Sequence, residues 1–329
     1  MKELSERLVA GAKITTQYFR SKLNKDGSYG ENIDDLSCYY KSPMMFIIAG
    51  QKDLANLVLD HIKCRYMTDT GDFMTDMSMK SAKPEYTIFW TYTNGWIVRA
   101  AIELGRKDIS ISAYEYLLHY NVENGLGFLM NHLDSKNGVT DVLTAAHHGL
   151  IHLEHNNMDL AVLAGNYLCA ALHKQPEIDR FFYLRFDASG NAITQFDDEQ
   201  VAFFCIDKQI PDQLYFMIGY PCAYLALLHE KTKDKKFIEG AKAYLNFALS
   251  CDENVLSCNF SHKLAWAASI LYKITGDAKY LTSITTITDY FISRQSREGM
   301  WYLEDDINTA YDQSAEIACW FMDIVKNLQ

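Results

Sequence analysis

Three residues of this 329-residue chain combine suitable side chains with suitable neighbours for proton transfer: Asp35, His148 and His262. Aspartate and histidine serve as general acids and bases in many enzymes. Asp35 follows Asp34 directly before an apolar helical pattern, where aspartate is also a favoured N-cap. One of the pair can therefore cap the helix while the other transfers protons. We predict that Asp35, His148 and His262 form a catalytic set.

His147 and His148 stand side by side in the apolar run VLTAAHHGLIHL. Adjacent residues are about 100° apart around a helix, so only one of the two is expected to face a binding cavity. Gly149 follows them and would let another segment approach closely. The alternative interpretation is that both histidines are hydrogen-bonded core residues.

Cys258 and His262 are four residues apart, a spacing that would place both on one face of a helix. They could be zinc ligands or a thiolate–imidazolium pair, or His262 alone could bind substrate. No complete zinc ligand set is visible, and the sequence lacks the Walker, dinucleotide, GxSxG and HExxH motifs. We therefore predict neither a metal nor an organic cofactor.

The residues predicted to bind substrate are mainly aromatic or acidic. Aromatic rings at helical spacing either stack on a substrate, stabilise a cation, or simply pack in the core. Acidic groups on opposite sides of a cavity would suit glycoside hydrolysis. The predicted substrate-binding residues are Asp34, Cys38, Tyr40, Tyr86, Trp90, His147, Tyr215, Cys258, Trp301, Tyr311 and Asp312.

The elements that must position these residues follow from a phrase that recurs along the chain. A Gly- or Asn-containing turn precedes a charged pair and a long apolar-periodic run, and the intervals hold two helices each. The phrase begins at Ala49, Leu104, Glu154, Lys231 and Ile274. Helices with one polar face, expected on the outside, lie at about 3–23, 52–65, 107–121, 157–174, 234–250 and 278–293.

Helices that are apolar almost all round are expected to be buried, at about 36–49, 86–104, 140–154, 212–230, 260–275 and 309–327. Six helical hairpins predict an all-α, (α/α)₆ toroid in a single domain, 1–329, with a central funnel for a small molecule. The oversized loop at about 181–206 alternates around a Ser-Gly-Asn turn and predicts a β-hairpin insertion, which would form a lid or a dimer contact.

The glycine-and-aromatic turns, notably Asp26-Gly27-Ser28-Tyr29-Gly30, resemble the repeat of terpenoid cyclases and protein prenyltransferases. The number of hairpins is similar to that of six-hairpin glycosidases, sugar epimerases and linalool dehydratase-isomerase. The resemblance covers nearly the whole chain and implies an α/α-toroid fold. Asn32-Ile33-Asp34-Asp35 has an asparagine where the acid motif of class II terpene cyclases has its first aspartate.

Composition excludes several other classes of protein. The net charge of −11 disfavours binding to nucleic acid or to anionic lipid. Five prolines, no membrane-length apolar run and no signal-peptide pattern favour a cytoplasmic globular protein. The eight cysteines contain no CxxC pair and are expected to be reduced. A homodimer is compatible with the sequence.

Together these patterns predict a cofactor-independent acid/base enzyme, a cyclase, isomerase or lyase. Its substrate would be a small hydrophobic molecule of aromatic or isoprenoid type, because the predicted inner helices are rich in aromatic residues. One alternative is a carbohydrate-active enzyme (glycoside hydrolase, polysaccharide lyase or sugar epimerase), with Trp90 and Trp301 stacking on sugar rings. Another is a non-catalytic helical scaffold.

Overall fold

The computed structural model describes residues 1–135 and 137–329. Within this part the chain is 62% helical, with twelve helices of seven residues or more. These are α1 (Lys2–Lys22), α2 (Ser42–Ile48), α3 (Lys52–Tyr66), α4 (Tyr92–Glu103), α5 (Lys107–Leu118), α6 (Val142–Glu154), α7 (Met158–His173), α8 (Phe216–Thr232), α9 (Lys235–Leu249), α10 (His262–Thr275), α11 (Lys279–Arg294) and α12 (Ile307–Asn327). Each corresponds to one helix predicted from the sequence.

Two predicted buried helices are shorter than the pattern indicated. The first is interrupted, with a 3₁₀ turn at Leu36–Cys38 before α2. Pro43 lies in the first turn of α2, where its missing N–H costs no helical hydrogen bond. The second is preceded by a separate helical turn, Glu85–Ile88, because Phe89 leaves the helical backbone region. Apolar periodicity alone does not report such breaks.

The chain forms two compact units, residues 1–120 with 294–325 and residues 121–293 with 326–329. Unit 1 contains α1 to α5 and most of α12, and unit 2 contains α6 to α11. The single domain expected from the sequence remains a prediction. No helix in the described residues is long and apolar enough to cross a bilayer.

Burial follows the predicted division into two kinds of helix. In α6 every residue from Val142 to Leu153 is buried. By contrast, α9 buries one stripe of apolar side chains and leaves the opposite stripe exposed. Both helices begin at an aspartate cap: the Asp141 carboxylate accepts a hydrogen bond from the Thr144 N–H at 2.8 Å, and Asp234 caps α9.

Four short strands form two antiparallel pairs in unit 2. They are β1 (Thr140–Asp141), β2 (Phe181–Tyr183), β3 (Arg185–Phe186) and β4 (Cys205–Asp207), paired as β1 with β3 and β2 with β4. The predicted turn is present, since Gly190 donates a hydrogen bond to the Asp187 carbonyl at 2.8 Å. The predicted hairpin forms around this turn as a single antiparallel bridge between Phe186 and Ala192. The strands β2 and β3 run consecutively in one direction and pair with β4 and β1.

Gly149 permits the close approach that its position predicted. A Cβ atom built there would lie 2.3 Å from Cζ of the Tyr224 ring, and the Tyr224 hydroxyl is held by the Ala161 carbonyl. We expect Gly149→Ala to destabilise the protein by about 1–3 kcal/mol through overpacking, although alanine is the better helix former. Chemical denaturation measures this change.

Gly240→Ala is a matched control for Gly149→Ala, because both glycines lie inside helices of unit 2. A Cβ at Gly240 would meet the Leu225 Cδ1 atom at 3.1 Å and the Cys169 Sγ atom at 3.2 Å, side-chain ends that can shift. Its stability should change by less than about 1 kcal/mol. Equal stabilities of the two variants would show that the Tyr224 ring is not fixed.

Candidate functional site

A concentrated group of buried polar side chains in unit 1 surrounds Lys41. Its members come from the segment before α2, the helical turn Glu85–Ile88, the start of α4, and two successive turns of α12. We call it the Lys41 network, and it consists of Tyr40, Lys41, Tyr86, Tyr92, Asp312 and Glu316.

Lys41 is the centre of the network and is only 2% exposed. Its Nζ atom lies 2.7 Å from Oδ1 of Asp312 and 2.6 Å from Oε2 of Glu316. Burial by itself lowers the pKa of Lys41, but the two carboxylates outweigh that effect and raise the pKa above its ordinary value. Lys41 is therefore a cation at neutral pH.

Aromatic rings enclose the Lys41 ammonium group on its other sides. The Nζ atom is 5.1 Å from the ring centre of Tyr40, 5.4 Å from that of Tyr92 and 5.8 Å from that of Trp96. These distances are those of cation–π contacts. One face of each of the three rings is thus already used by a cation of the protein itself.

Two tyrosine hydroxyls form a chain that ends on Asp312. The Tyr40 hydroxyl donates to Oδ1 of Asp312 at 2.5 Å and lies 3.0 Å from the Tyr86 hydroxyl. Burial raises the pKa of both phenols well above the usual value, and the Asp312 charge raises it further. Both phenols remain protonated donors at neutral pH. The chain can move a proton between a hydroxyl and a carboxylate.

The two carboxylates of α12 differ in their surroundings. Glu316 is fully buried, and its Oε1 atom accepts hydrogen bonds from the Tyr92 hydroxyl at 3.0 Å and from the Trp320 indole at 3.2 Å. Asp312 retains 6% exposure, and Tyr92 is partly exposed. A reactant could therefore approach the network from the side of Asp312 and Tyr92.

A second buried ion pair in unit 1 involves Asp72 and Lys80. Asp72 accepts hydrogen bonds from Trp90 at 2.9 Å, Asn94 at 2.9 Å and Tyr116 at 3.0 Å, and it also contacts the Lys80 ammonium. Burial raises the pKa of Asp72, but the Lys80 charge and the hydrogen bonds from Lys80 and Asn94 hold it below its ordinary value. The Trp90 indole N–H donates to the Asp72 carboxylate of this ion pair, which favours a structural role for Trp90 in the core.

The structure places Asp35 as a cap. Its Oδ1 atom accepts from the Ser37 N–H at 2.8 Å and from the Ser81 hydroxyl at 2.7 Å, and its Oδ2 atom accepts from the Ala82 N–H at 2.7 Å. Asp34 is exposed and forms an ion pair with Arg65 at 2.7 Å. These contacts favour the capping alternative for Asp35, whose catalytic role remains a prediction.

Three predicted substrate-binding residues of unit 1 lie in the packed interior. Tyr311 packs edge-to-face on Phe19 at 4.9 Å between ring centres, and Trp301 packs in the same way on Phe321 at 5.5 Å. Burial raises the pKa of Cys38, so its side chain is a neutral thiol. These contacts favour the core interpretation for all three.

The adjacent histidines of unit 2 are enclosed by aromatic rings. His148 stacks on Phe128 with 4.7 Å between ring centres, and His147 meets the Tyr220 ring edge-on at 5.7 Å. Both side chains are almost completely buried. Burial lowers the pKa of His148 well below its ordinary value, so this imidazole is neutral at neutral pH. The surroundings favour the core alternative for His148.

Contrary to the prediction, Cys258 and His262 do not share one face of a helix. The helix α10 begins at His262, so Cys258 lies in the preceding loop and helical spacing does not apply to it. Burial raises the pKa of Cys258 to about 11 and that of Tyr215 to about 12, so both are protonated at neutral pH. His262 packs against Phe291 with 5.2 Å between ring centres.

The structure brings together Tyr40, Tyr86 and Asp312 of the predicted residues. Asp35 belongs to unit 1, whereas His148 and His262 belong to unit 2, so their joint action remains a prediction. Among residues 1–135 and 137–329, no three His, Cys, Asp or Glu side chains are grouped as metal ligands.

The predicted catalytic and substrate-binding residues did not include Lys41 or Glu316. Both residues lie in apolar helical patterns, which predict burial. Because a buried charge requires an opposite charge nearby, this position was an indication that the two residues belong to a site.

Comparison with known proteins gives a structural likeness only. No family model and no curated protein matches the sequence. A D-mannose isomerase has a TM-score of 0.68 at 15% identity, over 96% of both chains. A GH76 α-mannanase of Bacteroides thetaiotaomicron has a TM-score of 0.65 at 13% identity, over 98% of this chain and 96% of the other.

A type II terpene cyclase from Scytonema, in complex with geranylgeranyl dihydroxybenzoate, has a TM-score of 0.65 at 11% identity. The match covers 99% of this chain and 100% of the cyclase. All three matched proteins are enzymes with the α/α-toroid fold, and their reactions differ. At these identities the likeness shows the fold, which agrees with the fold class predicted from the sequence. The chain has the α/α-toroid fold.

Proposed function

We propose that this protein is a cofactor-independent acid/base isomerase that moves a proton next to a carbonyl group, and that the Lys41 network carries out the transfer. The observation that carries the proposal is the continuous contact from Tyr86 through Tyr40 to Asp312, beside a buried cation. A protonated donor, a carboxylate acceptor and a fixed positive charge are the parts that enolisation requires.

Each part has a defined task in the proposed reaction. The Asp312 carboxylate removes the proton from the carbon beside the carbonyl. The partly exposed Tyr92 hydroxyl exchanges its hydrogen bond to Glu316 for one to the carbonyl oxygen as negative charge develops there. The proton then returns to the former carbonyl carbon, while the hydroxyl proton of the neighbouring carbon passes to the former carbonyl oxygen, so that substrate and product are isomers. The Lys41 ammonium group lies 2.7 Å from the Asp312 carboxylate and pairs with its negative charge in the buried network.

A small polar substrate of sugar type fits the Lys41 network better than the hydrophobic substrate preferred from the sequence. A cyclase would need aromatic faces to stabilise its carbocation, but Lys41 already occupies one face each of Tyr40, Tyr92 and Trp96. The fold likeness to a D-mannose isomerase over 96% of both chains supports the same preference.

Glycoside hydrolysis is disfavoured by the position of the carboxylates. It requires two of them on either side of the scissile bond, about 5–9.5 Å apart. Asp312 and Glu316 instead lie one turn apart on α12 and bind the same ammonium group. They therefore flank a lysine of the protein and not a space for a glycosidic bond.

Deuterium exchange into a panel of candidate sugars tests the proposal. The protein is incubated in D₂O with aldoses and ketoses, and proton NMR follows the signals beside the carbonyl. We expect one sugar to lose such a proton and form its isomer, and Asp312→Asn to slow this exchange by about 10²-fold or more. The control Asp306→Asn changes an exposed carboxylate paired with Lys83 and should exchange normally.

Exchange at the wild-type rate in Asp312→Asn would contradict the role of the Lys41 network. Absence of exchange with every sugar, together with ring formation from a prenylated aromatic compound, would contradict the isomerase proposal and return the hydrophobic cyclase to first place.

A further inference from the structure

Arg185 is a buried arginine of unit 2 whose charge no ion pair neutralises within the described part of the chain. It lies on β3, directly opposite Asp141 of β1, and is only 8% exposed. Its guanidinium carbon stands 4.0 Å from the ring centre of Phe204. A cation–π contact of this kind offsets only part of the free energy needed to remove an arginine from water.

Two N–H donors of Arg185 have no hydrogen-bond partner among the described residues, and they form one edge of its guanidinium group. The Nε and Nη2 atoms are inaccessible to solvent, and neither has a hydrogen-bond partner in residues 1–135 or 137–329. These two N–H groups point in nearly parallel directions, a geometry that matches two oxygens of a carboxylate or phosphate. Two enclosed donors on one edge therefore require an acceptor.

Two other arginines of the chain show what this edge binds. The Nε and Nη2 atoms of Arg106 donate to the carboxylate of Asp108 at 2.9 and 2.8 Å. The same atoms of Arg180 donate to the carboxylate of Asp207 at 3.4 and 2.9 Å. Arg185 presents the same edge, and no carboxylate of the described residues lies on it.

The neighbouring acid does not fill this place. Asp141 uses its Oδ1 atom for the Thr144 N–H at 2.8 Å and its Oδ2 atom for the Thr144 hydroxyl at 2.6 Å. Its charge favours the charged form of Arg185 from a distance, while burial lowers the pKa of Arg185. Asp141 is thus committed to the cap of α6, and the arginine edge is left for another group.

We propose that the Nε–Nη2 edge of Arg185, backed by Phe204, binds the carboxylate or phosphate group of a small anion. The site belongs to unit 2, and the inference does not depend on the isomerase reaction proposed for the Lys41 network. Carboxylates and phosphates share the paired oxygens that the edge requires, so both are tested.

Calorimetric titration with inorganic phosphate and, separately, with sodium acetate at constant ionic strength tests this site. We expect saturable binding of at least one of the two anions, and the anion that binds identifies the group. Arg185→Met should weaken that binding at least tenfold. Arg185→Lys should also weaken it, because lysine keeps the charge but loses the paired donors.

Arg180→Met is the matched control, since Arg180 lies in the same segment, stacks on Phe181 at 4.6 Å and already holds a carboxylate. It should bind the anion as the wild type does. If Arg185→Met does not fold, Arg185→Lys decides the result. The proposal would be overturned if the folded Arg185 variant bound the anion with wild-type affinity. It would also be overturned if the wild type showed no saturable binding of either anion.

Discussion

Lys41→Met should lower the free energy of unfolding by about 3–5 kcal/mol, the usual cost of removing one partner from a buried ion pair. The methionine fills a similar volume, so the loss comes mainly from Asp312 and Glu316, whose charges lie 2.7 and 2.6 Å from the ammonium group. Urea denaturation of the wild type and the variant measures this difference.

The control for Lys41→Met is Lys63→Met. Lys63 forms an ion pair with Asp108 at 2.9 Å, but its side chain is 43% exposed and that of Asp108 is 40% exposed. Removal of this surface pair should cost less than about 1 kcal/mol, because water and salt screen it. Equal losses in the two variants would mean that Asp312 and Glu316 do not depend on Lys41 for neutralisation.

The pH dependence of this stabilisation has a defined sign. The pKa of Lys41 in the folded protein is raised above the ordinary value of a lysine. A raised lysine pKa stabilises the folded state fully below the unfolded pKa, and the contribution is lost as the pH rises through the folded pKa. The difference between the wild type and Lys41→Met should therefore shrink in strongly alkaline solution, where Lys41 of the folded wild type loses its proton.

Asp312→Asn should reduce turnover of the identified substrate by about 10²- to 10⁴-fold while the protein stays folded. The asparagine cannot accept the proton from carbon. Lys41 keeps Glu316 as its partner, and the Tyr40 hydroxyl keeps an oxygen acceptor, so most of the network survives. Turnover and melting temperature are measured on the same preparation.

Asp35→Asn distinguishes the proposal from the catalytic set predicted by the sequence. Asp35 accepts hydrogen bonds as a cap, so its replacement should cost about 0.5–2 kcal/mol of stability and leave turnover close to normal. His148→Ala should likewise act through stability, since it opens a cavity beside Phe128. A large loss of turnover in both variants without loss of stability would instead support the predicted set.

The sequence was sufficient to predict the helices, because apolar periodicity is a local property of the chain. Twelve long helices appear where apolar residues recur at helical spacing, and α6 is buried all round as its lack of polar residues predicted. The predicted helix boundaries were wrong where the backbone breaks locally, as at Phe89. The pairing of β1 with β3 was not predicted, since these strands are far apart in the sequence and their contact leaves no local pattern.

The candidate site is the part that only the tertiary structure decided. Residue type marked Tyr40, Tyr86 and Asp312 as candidates, but it marked Asp35 equally well. Whether an aspartate caps a turn or faces a buried lysine depends on which distant segment packs against it. Ser81 and Ala82 take up the oxygens of Asp35, whereas the oxygens of Asp312 meet Tyr40 and Lys41. The sequence determined which groups could transfer protons, and packing decided which of them met.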